Sequence, residues 1–168
     1  MEGAASHVKN LTLDPESRFV SSRTFDKIRS NRHRLMSDIQ GKKILVVDDE
    51  PEIRKLVTAM LTRNGYRILT ADTGENAVRL FRNNPGIELL LTDVVAPGMS
   101  GPMIADEIAA MKPDIKVLFM SGYDSTQVVQ RYVVEKGYSL LVKPFTMEEL
   151  EQKVRDVLGK ADLTRAAG

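Results

Sequence analysis

From about Gly41 to Gly159, short apolar runs take turns with stretches in which apolar residues recur every three or four positions. The runs are Ile44-Leu45-Val46-Val47, Ile87-Glu88-Leu89-Leu90-Leu91, Lys116-Val117-Leu118-Phe119-Met120 and Ser139-Leu140-Leu141-Val142. Each is short, rich in branched residues and bounded by polar residues or glycine, which predicts strands. Tyr66 to Ala71 adds a fifth, more exposed strand. Three of the runs are apolar almost throughout, as befits strands covered by helices on both faces.

Between the runs the helical period takes over. Glu52 to Asn64 places Ile53, Leu56, Val57, Met60 and Leu61 on one face, and Gly65 stands where a left-handed residue would end the helix. Glu75 to Asn83 sets Ala77, Val78, Leu80 and Phe81 before the stop Asn84-Pro85-Gly86. Met103 to Met111 precedes Pro113, Ser125 to Lys136 precedes Gly137, and Thr146 with Glu149 has the spacing of a capping box that opens the last helix. Strand and helix thus alternate five times. That alternation calls for an α/β protein with a parallel sheet, right-handed crossovers and helices on both faces, in the flavodoxin-like order 2-1-3-4-5.

The first forty residues lack these patterns. A boundary near residues 39–42 separates an N-terminal extension, 1–40, from a domain over 41–160 and a short tail, 161–168. Residues 1–20 read as a solvated or partly disordered arm. Between Arg23 and Arg34 lie Arg23, Lys27, Arg29, Arg32 and Arg34 against Asp26 alone, and Phe25, Ile28, Leu35 and Ile39 form a narrow apolar stripe over 24–40. We read this as a basic amphipathic helix that packs on its own domain or on a partner copy in a homodimer, in preference to an anionic membrane or nucleic acid. His33 is followed by Arg34-Leu35-Met36, without the acidic neighbour of a kinase's phosphorylated histidine, and reads as a surface residue.

Composition narrows the function classes. With 168 residues, 42% hydrophobic and 28% charged, the chain holds one ordinary domain with a sizeable core, and a net charge of +1 gives no reason to expect direct DNA binding. The absence of cysteine removes disulfides, thiolate metal sites and thiol catalysis. No stretch approaches the roughly 18 apolar residues of a membrane span, and the N-terminus lacks a secretory core. A soluble cytoplasmic protein is the expectation. Only a short tail follows Gly159, so the sequence leads us to expect a stand-alone domain or a piece of a larger protein, with no further domain after it in this chain.

Open parallel sheets carry their sites at the carboxyl ends of the strands. Those ends hold Asp48 and Asp49 after the first strand, Asp93 after the third, Ser121 after the fourth and Lys143 after the fifth. Singly, each has an ordinary structural explanation: Asp-Asp-Glu-Pro as a loop and helix cap, Ser121-Gly122 as a turn, Lys143-Pro144 as a strand end. Acid, acid, hydroxyl and cation on four strand ends together are hard to place by accident. Three carboxylates crowded at one edge repel, by about 4 kcal/mol per pair at 4 Å and intermediate dielectric, so protons or cations must be bound. A hard oxygen-liganded ion such as Mg2+ answers that need, with Lys143 as a second, fixed positive charge.

Four segments frame these residues: Ile44-Leu45-Val46-Val47-Asp48-Asp49-Glu50, Leu91-Thr92-Asp93-Val94-Val95-Ala96-Pro97-Gly98-Met99-Ser100-Gly101, Met120-Ser121-Gly122 and Leu141-Val142-Lys143-Pro144-Phe145. In this spacing the chain from Gly41 to about Lys160 resembles the receiver domain of response regulators and hybrid histidine kinases, more closely the latter. The resemblance implies a phosphoacceptor regulatory domain, not an enzyme, in which Asp93 takes a phosphoryl group from a histidine kinase or a histidine phosphotransfer protein. It implies Mg2+ held by Asp49, Asp93 and the backbone carbonyl of Val95, with Asp48 acting mainly through water. Lys143 and the metal would meet two phosphoryl oxygens, Ser121 the third, and Gly122 would leave room for a bulky donor. It also implies a cis Lys143-Pro144 peptide and a change of surface around the fourth helix and fifth strand. Many receivers carry an aromatic residue where this chain has Leu140; Tyr138, two positions earlier, shares its side of the strand. Val95 and Tyr123, two positions after Asp93 and Ser121, flank the water that would hydrolyse the phosphoryl group, and neither is suited to orient it. Haloacid-dehalogenase phosphatases also form an aspartyl-phosphate, but on an Asp-x-Asp after the first strand, whereas here Asp48 and Asp49 are adjacent. A degenerate, purely protein-binding receiver would lack one or more of the five residues.

Overall fold

The structure, a computed structural model, describes residues 41–122 and 127–159. The extension 1–40 with its basic helix, Tyr123 and the tail 161–168 lie outside the described residues. Among the described residues five strands and five helices alternate: β1 (Lys43–Val47), α1 (Pro51–Arg63), β2 (Arg67–Ala71), α2 (Gly74–Asn83), β3 (Ile87–Asp93), α3 (Gly101–Met111), β4 (Lys116–Ser121), α4 (Gln127–Glu135), β5 (Ser139–Val142) and α5 (Met147–Gly159). The strands form one sheet in the order β2-β1-β3-β4-β5, and every neighbouring pair is parallel. Both the alternation and the order are those expected from the sequence.

Because successive side chains of a strand point to opposite faces, the central strands feed two cores. Leu45, Val47, Leu90, Val117 and Phe119 pack with Ala77, Val78 and Phe81 of α2, Ile104, Ala105 and Ile108 of α3, and Val133 of α4. Ile44, Val46, Leu89, Leu91, Leu118 and Met120 pack with Val57 and Leu61 of α1 and Leu150, Val154, Val157 and Leu158 of α5. Burial of each such side chain contributes about 1.5–3 kcal/mol. The exposed Arg82–Glu107 pair at 3.1 Å contributes at most about 1 kcal/mol, so the two cores carry the fold.

Helix boundaries follow local chemistry. Pro51 begins α1, where a missing N–H costs nothing, and Gly65 at φ +88° ends the connection to β2 in a conformation that favours glycine. The Thr73 hydroxyl accepts from the Asn76 N–H at 3.2 Å and caps α2. The capping box at Thr146 is present: Thr146 N–H donates to Glu149 Oε2 at 2.7 Å, and Glu149 N–H to Thr146 Oγ1 at 3.2 Å. One position differs from expectation. Leu56, assigned to the inner face of α1, is 50% exposed, because the buried stripe centres on Val57 and Leu61 and Leu56 falls at its margin.

The same ladder that joins the strands runs one step past their ends and places the loops there. Asp48 N–H donates to Ala71 O at 3.3 Å, Val94 N–H to Met120 O at 2.9 Å, and Lys143 N–H to Ser121 O at 2.7 Å. The loop after β3 then folds back, with Gly101 N–H on Val94 O at 3.1 Å. A side chain at Gly101 would run into the Asp93 carbonyl and, at 3.2 Å, the Phe119 ring. Gly101→Ala should therefore cost stability, by about 2–3 kcal/mol as overpacking against backbone that cannot yield. At Gly122 a Cβ meets nothing within 4 Å, so Gly122→Ala is the control. Urea unfolding of the two variants beside the parent checks this; equal midpoints for both would show that the close approach at Gly101 is not a constraint.

Candidate functional site

Asp48, Asp93, Ser121 and Lys143 stand together at the carboxyl edge of the sheet, where β1, β3, β4 and β5 end. The Lys143 ammonium joins two of them. It donates to Asp48 Oδ2 at 3.1 Å and to Asp93 Oδ2 at 2.5 Å. The remaining oxygens are held by backbone: Glu50 N–H donates to Asp48 Oδ1 at 2.9 Å, and Val95 N–H to Asp93 Oδ1 at 2.9 Å. Each carboxylate is thus hydrogen-bonded through both oxygens, which is what allows Asp48 to be fully buried while charged. The Lys143–Pro144 peptide is cis, as the resemblance implied.

Burial of Lys143 pushes its pKa down, but the hydrogen bond and charge of Asp93, and then those of Asp48, more than offset this and leave it above the ordinary lysine value. The ammonium is therefore fixed in its charged form at neutral pH. Its side chain keeps 18% exposure and that of Asp93 14%, against 0% for Asp48. Asp93 is thus partly open to solvent, whereas Asp48 is not.

The other expected residues are arranged less tightly. Ser121 is buried and its hydroxyl donates to the carbonyl of Gly122 at 3.1 Å, not to Asp93. Asp49 is exposed and, among the described residues, has no hydrogen-bond or salt-bridge partner. Val95 offers its N–H to Asp93 while its side chain is 77% exposed, so it does not pack against the loop. Among the described residues no three acidic or histidine side chains converge closely enough to hold a metal by themselves. The chemistry of the donors nonetheless suits a hard divalent cation: they are all oxygen, and Asp48, Asp49 and Asp93 bring three negative charges against the one positive charge of Lys143.

Two features were not legible in the sequence. Arg54, in the first turn of α1, donates from Nη1 to the Asp48 carbonyl at 2.5 Å. A cation in a first turn opposes the helix dipole by about 0.3–1 kcal/mol, whereas a hydrogen bond from a charged donor contributes about 1.5–3 kcal/mol, so the bond wins. The usable signal was position, since helical side chains lean toward the N-terminus and residue 54 leans back over the β1–α1 turn. The second feature is aromatic. Phe119 meets Tyr132 at 6.1 Å and Tyr138 at 5.9 Å between ring centroids, both edge-on, and Tyr132 donates to Asp106 Oδ1 at 3.0 Å. Tyr138 and Leu140 pack against the same core, so the strand alternation inferred from sequence holds.

In sequence and fold the chain is similar to known proteins. The family model described as response regulator receiver domain matches residues 44–155. The chain is 30% identical over 128 residues to the sensor kinase CckA of Brucella abortus, covering 75% of this chain but only 14% of that protein. It is 28% identical over 117 residues to the response regulator receiver protein CpdR of the same organism, covering 70% of this chain and 97% of that one. Among solved structures, the CheX-CheY-BeF3-Mg+2 complex from Borrelia burgdorferi matches with a TM-score of 0.65 and 27% identity, over 70% of this chain and 90% of that one.

The shared ammonium makes a pH-dependent contribution to stability. A lysine pKa raised by folding contributes stability that is fully present below the unfolded value of about 10.4 and is lost as pH rises through the folded value. Lys143→Met should cost about 3 kcal/mol at neutral pH, at the low end for a broken buried pair because Lys143 keeps 18% exposure. The difference between parent and variant should shrink above the ordinary lysine range, since tyrosine titration is common to both. Unfolding midpoints at neutral and alkaline pH check this; an undiminished difference at alkaline pH would show that the ammonium charge is not its source.

Proposed function

The chain belongs to the response regulator receiver domain family, and on that footing we propose that it is a phosphoacceptor switch in which Asp93 takes a phosphoryl group from a phosphohistidine. Receiver domains accept phosphoryl groups from histidine kinases; a histidine kinase or a histidine phosphotransfer protein is the donor proposed here. One observation carries the choice of residue. Asp93 is the only one of the three aspartates that both pairs with Lys143 and stays open to solvent, for Asp48 is sealed and Asp49 has no cation beside it.

In this reading a carboxylate oxygen of Asp93 attacks phosphorus in line, and the phosphorus–nitrogen bond to the histidine breaks as the new phosphorus–oxygen bond forms. Lys143 keeps its place and turns from the Asp93 carboxylate to a phosphoryl oxygen, cancelling charge that would otherwise be repelled by Asp48. The Ser121 hydroxyl leaves the Gly122 carbonyl and donates to another phosphoryl oxygen. Gly122 leaves space for the donor's imidazole. Asp49, Asp93 and the Val95 carbonyl are the groups that would hold Mg2+, with Asp48 behind them. When bound, the ion supplies positive charge that neutralises the transferring phosphoryl oxygens.

A phosphoryl group adds nearly two negative charges, and drawing Ser121 toward it pulls the end of β4 and biases a pre-existing equilibrium. We place the responding surface around α4 and β5. No helix among the described residues is long and apolar enough to cross a membrane, and the cytoplasm is where a phosphohistidine donor of this kind would meet the domain.

Incubation with acetyl phosphate and Mg2+, followed by intact-mass measurement, should show one phosphoryl group per chain. Asp93→Asn should abolish it, and chelation of divalent ions should suppress it. Labelling of Asp93→Asn at the parent level, or indifference to chelation, would overturn the assignment.

The lifetime of the product depends on whether a water can be held in line with the phosphorus–Asp93 bond. Val95 points into solvent beside Asp93 and has no polar group with which to orient that water, so self-dephosphorylation should be slow. Val95→Asn should shorten the lifetime of the phosphorylated protein, followed by mass after removal of acetyl phosphate. An unchanged or longer lifetime in a folded variant would show that this position does not control hydrolysis.

A further inference from the structure

The β1–α1 turn is held by two bonds that converge on the residue before Asp49. The Asp48 side chain accepts from Glu50 N–H at 2.9 Å, and the Asp48 carbonyl accepts from Arg54 Nη1 at 2.5 Å. That carbonyl belongs to the peptide joining Asp48 to Asp49. With its oxygen fixed by Arg54 and the next N–H but one fixed by the Asp48 carboxylate, the plane of this peptide is set from both sides. Asp49 itself has no partner among the described residues and stands exposed, so the turn's backbone sets only the point and direction from which its side chain extends.

Arg54 is also an odd residue for its place. It sits in the first turn of α1, where its N–H closes the turn on Glu50 O at 3.0 Å and where a cation is disfavoured by the helix dipole. Among the described residues its guanidinium pairs with no carboxylate closely enough to form a salt bridge, although its charge is felt weakly at Asp72 after the larger effect of the Asn76 hydrogen bond. It spends its donor on a main-chain oxygen.

We propose that Arg54 is a positioning residue that fixes the Asp48–Asp49 peptide through the Asp48 carbonyl and so presets the Asp49 carboxylate as an oxygen ligand for a divalent cation. This rests on the phosphoacceptor reading, which gives Asp49 that role. Arg54 touches neither the phosphoryl group nor the ion. It acts as groups behind a metal ligand do, by reducing the freedom that the ligand would lose on binding.

The test uses the full chain and magnesium chloride alone, with binding followed by isothermal titration calorimetry. Arg54→Ala should weaken magnesium binding about tenfold. Asp49→Ala combined with Arg54→Ala should bind no more weakly than Asp49→Ala, because Arg54 acts through Asp49. Arg54→Lys, whose ammonium can still donate to a carbonyl, should restore most of the affinity. In the metal-free protein the Glu50 amide should exchange faster with solvent in Arg54→Ala, while amides of β1 are unchanged, as read by nuclear magnetic resonance. Should Arg54→Ala not fold, Arg54→Gln, which keeps a donor but falls short of the carbonyl, is read in the same way. Parent-like affinity in the Arg54 variant, or losses that simply multiply in the double variant, would overturn the proposal. A parent that binds no magnesium overturns the metal part of the phosphoacceptor reading instead, and unchanged Glu50 exchange then overturns the role of Arg54.

Discussion

Two carboxylates and one ammonium at the edge of a parallel sheet set the terms for everything around them. Asp48 has no exposure at all, and a carboxylate so placed is tolerated only if both oxygens are hydrogen-bonded and a cation is near. The cation comes from the far side. In the order β2-β1-β3-β4-β5, Lys143 leaves β5 three strands away from Asp48 at the end of β1, roughly 14 Å at the usual strand spacing. The lysine stem covers part of that distance and the carboxylate side chains the rest, so that the ammonium meets both Asp93 and Asp48. The strand order is therefore part of the electrostatics.

The loops complete the separation of the sealed carboxylate from the open one. Between β3 and α3 the chain turns back on itself so closely that Gly101 lies against the Asp93 carbonyl, and Met99 packs over Gly74, where a side chain would come within 2.6 Å of its Cβ. Contacts this close hold the loop from below. Above it, Val95 contributes an N–H to Asp93 and an exposed aliphatic side chain to the rim.

Much of this was legible from periodicity. Apolar runs and helical spacing place the elements to within a residue or two at most boundaries, and the strand ends then collect Asp48, Asp93, Ser121 and Lys143 without further information, because carboxyl ends of parallel strands share one edge. What escaped depends on single rotamers and on tertiary direction. The Ser121 hydroxyl faces the Gly122 carbonyl, Asp49 turns to solvent, and the Arg54 side chain folds over the preceding turn. Nothing in a one-dimensional pattern fixes a torsion about one bond. Leu56 failed for a related reason: a stripe read from spacing has no sharp margin, and the packing of α1 on the sheet decides which flank is covered.

The aromatic residues show how far a local substitution is absorbed by its surroundings. Leu140 stands where many receivers have an aromatic ring, yet the space on that face of β5 is not left aliphatic. Tyr138, one strand repeat earlier, and Tyr132 of α4 both meet Phe119, whose ring lies 3.2 Å from where a Gly101 side chain would be. Phe119 is two residues before Ser121 on β4 and shares its side of the strand. The rings therefore run without a gap from the backbone beside Asp93 to α4, and Asp106 of α3 holds both the Tyr132 hydroxyl and the Lys136 ammonium at 3.0 Å. Close-packed interiors do not deform smoothly, so a displacement at the end of β4 must be taken up by these rings or by the α3–α4 contact they lean on.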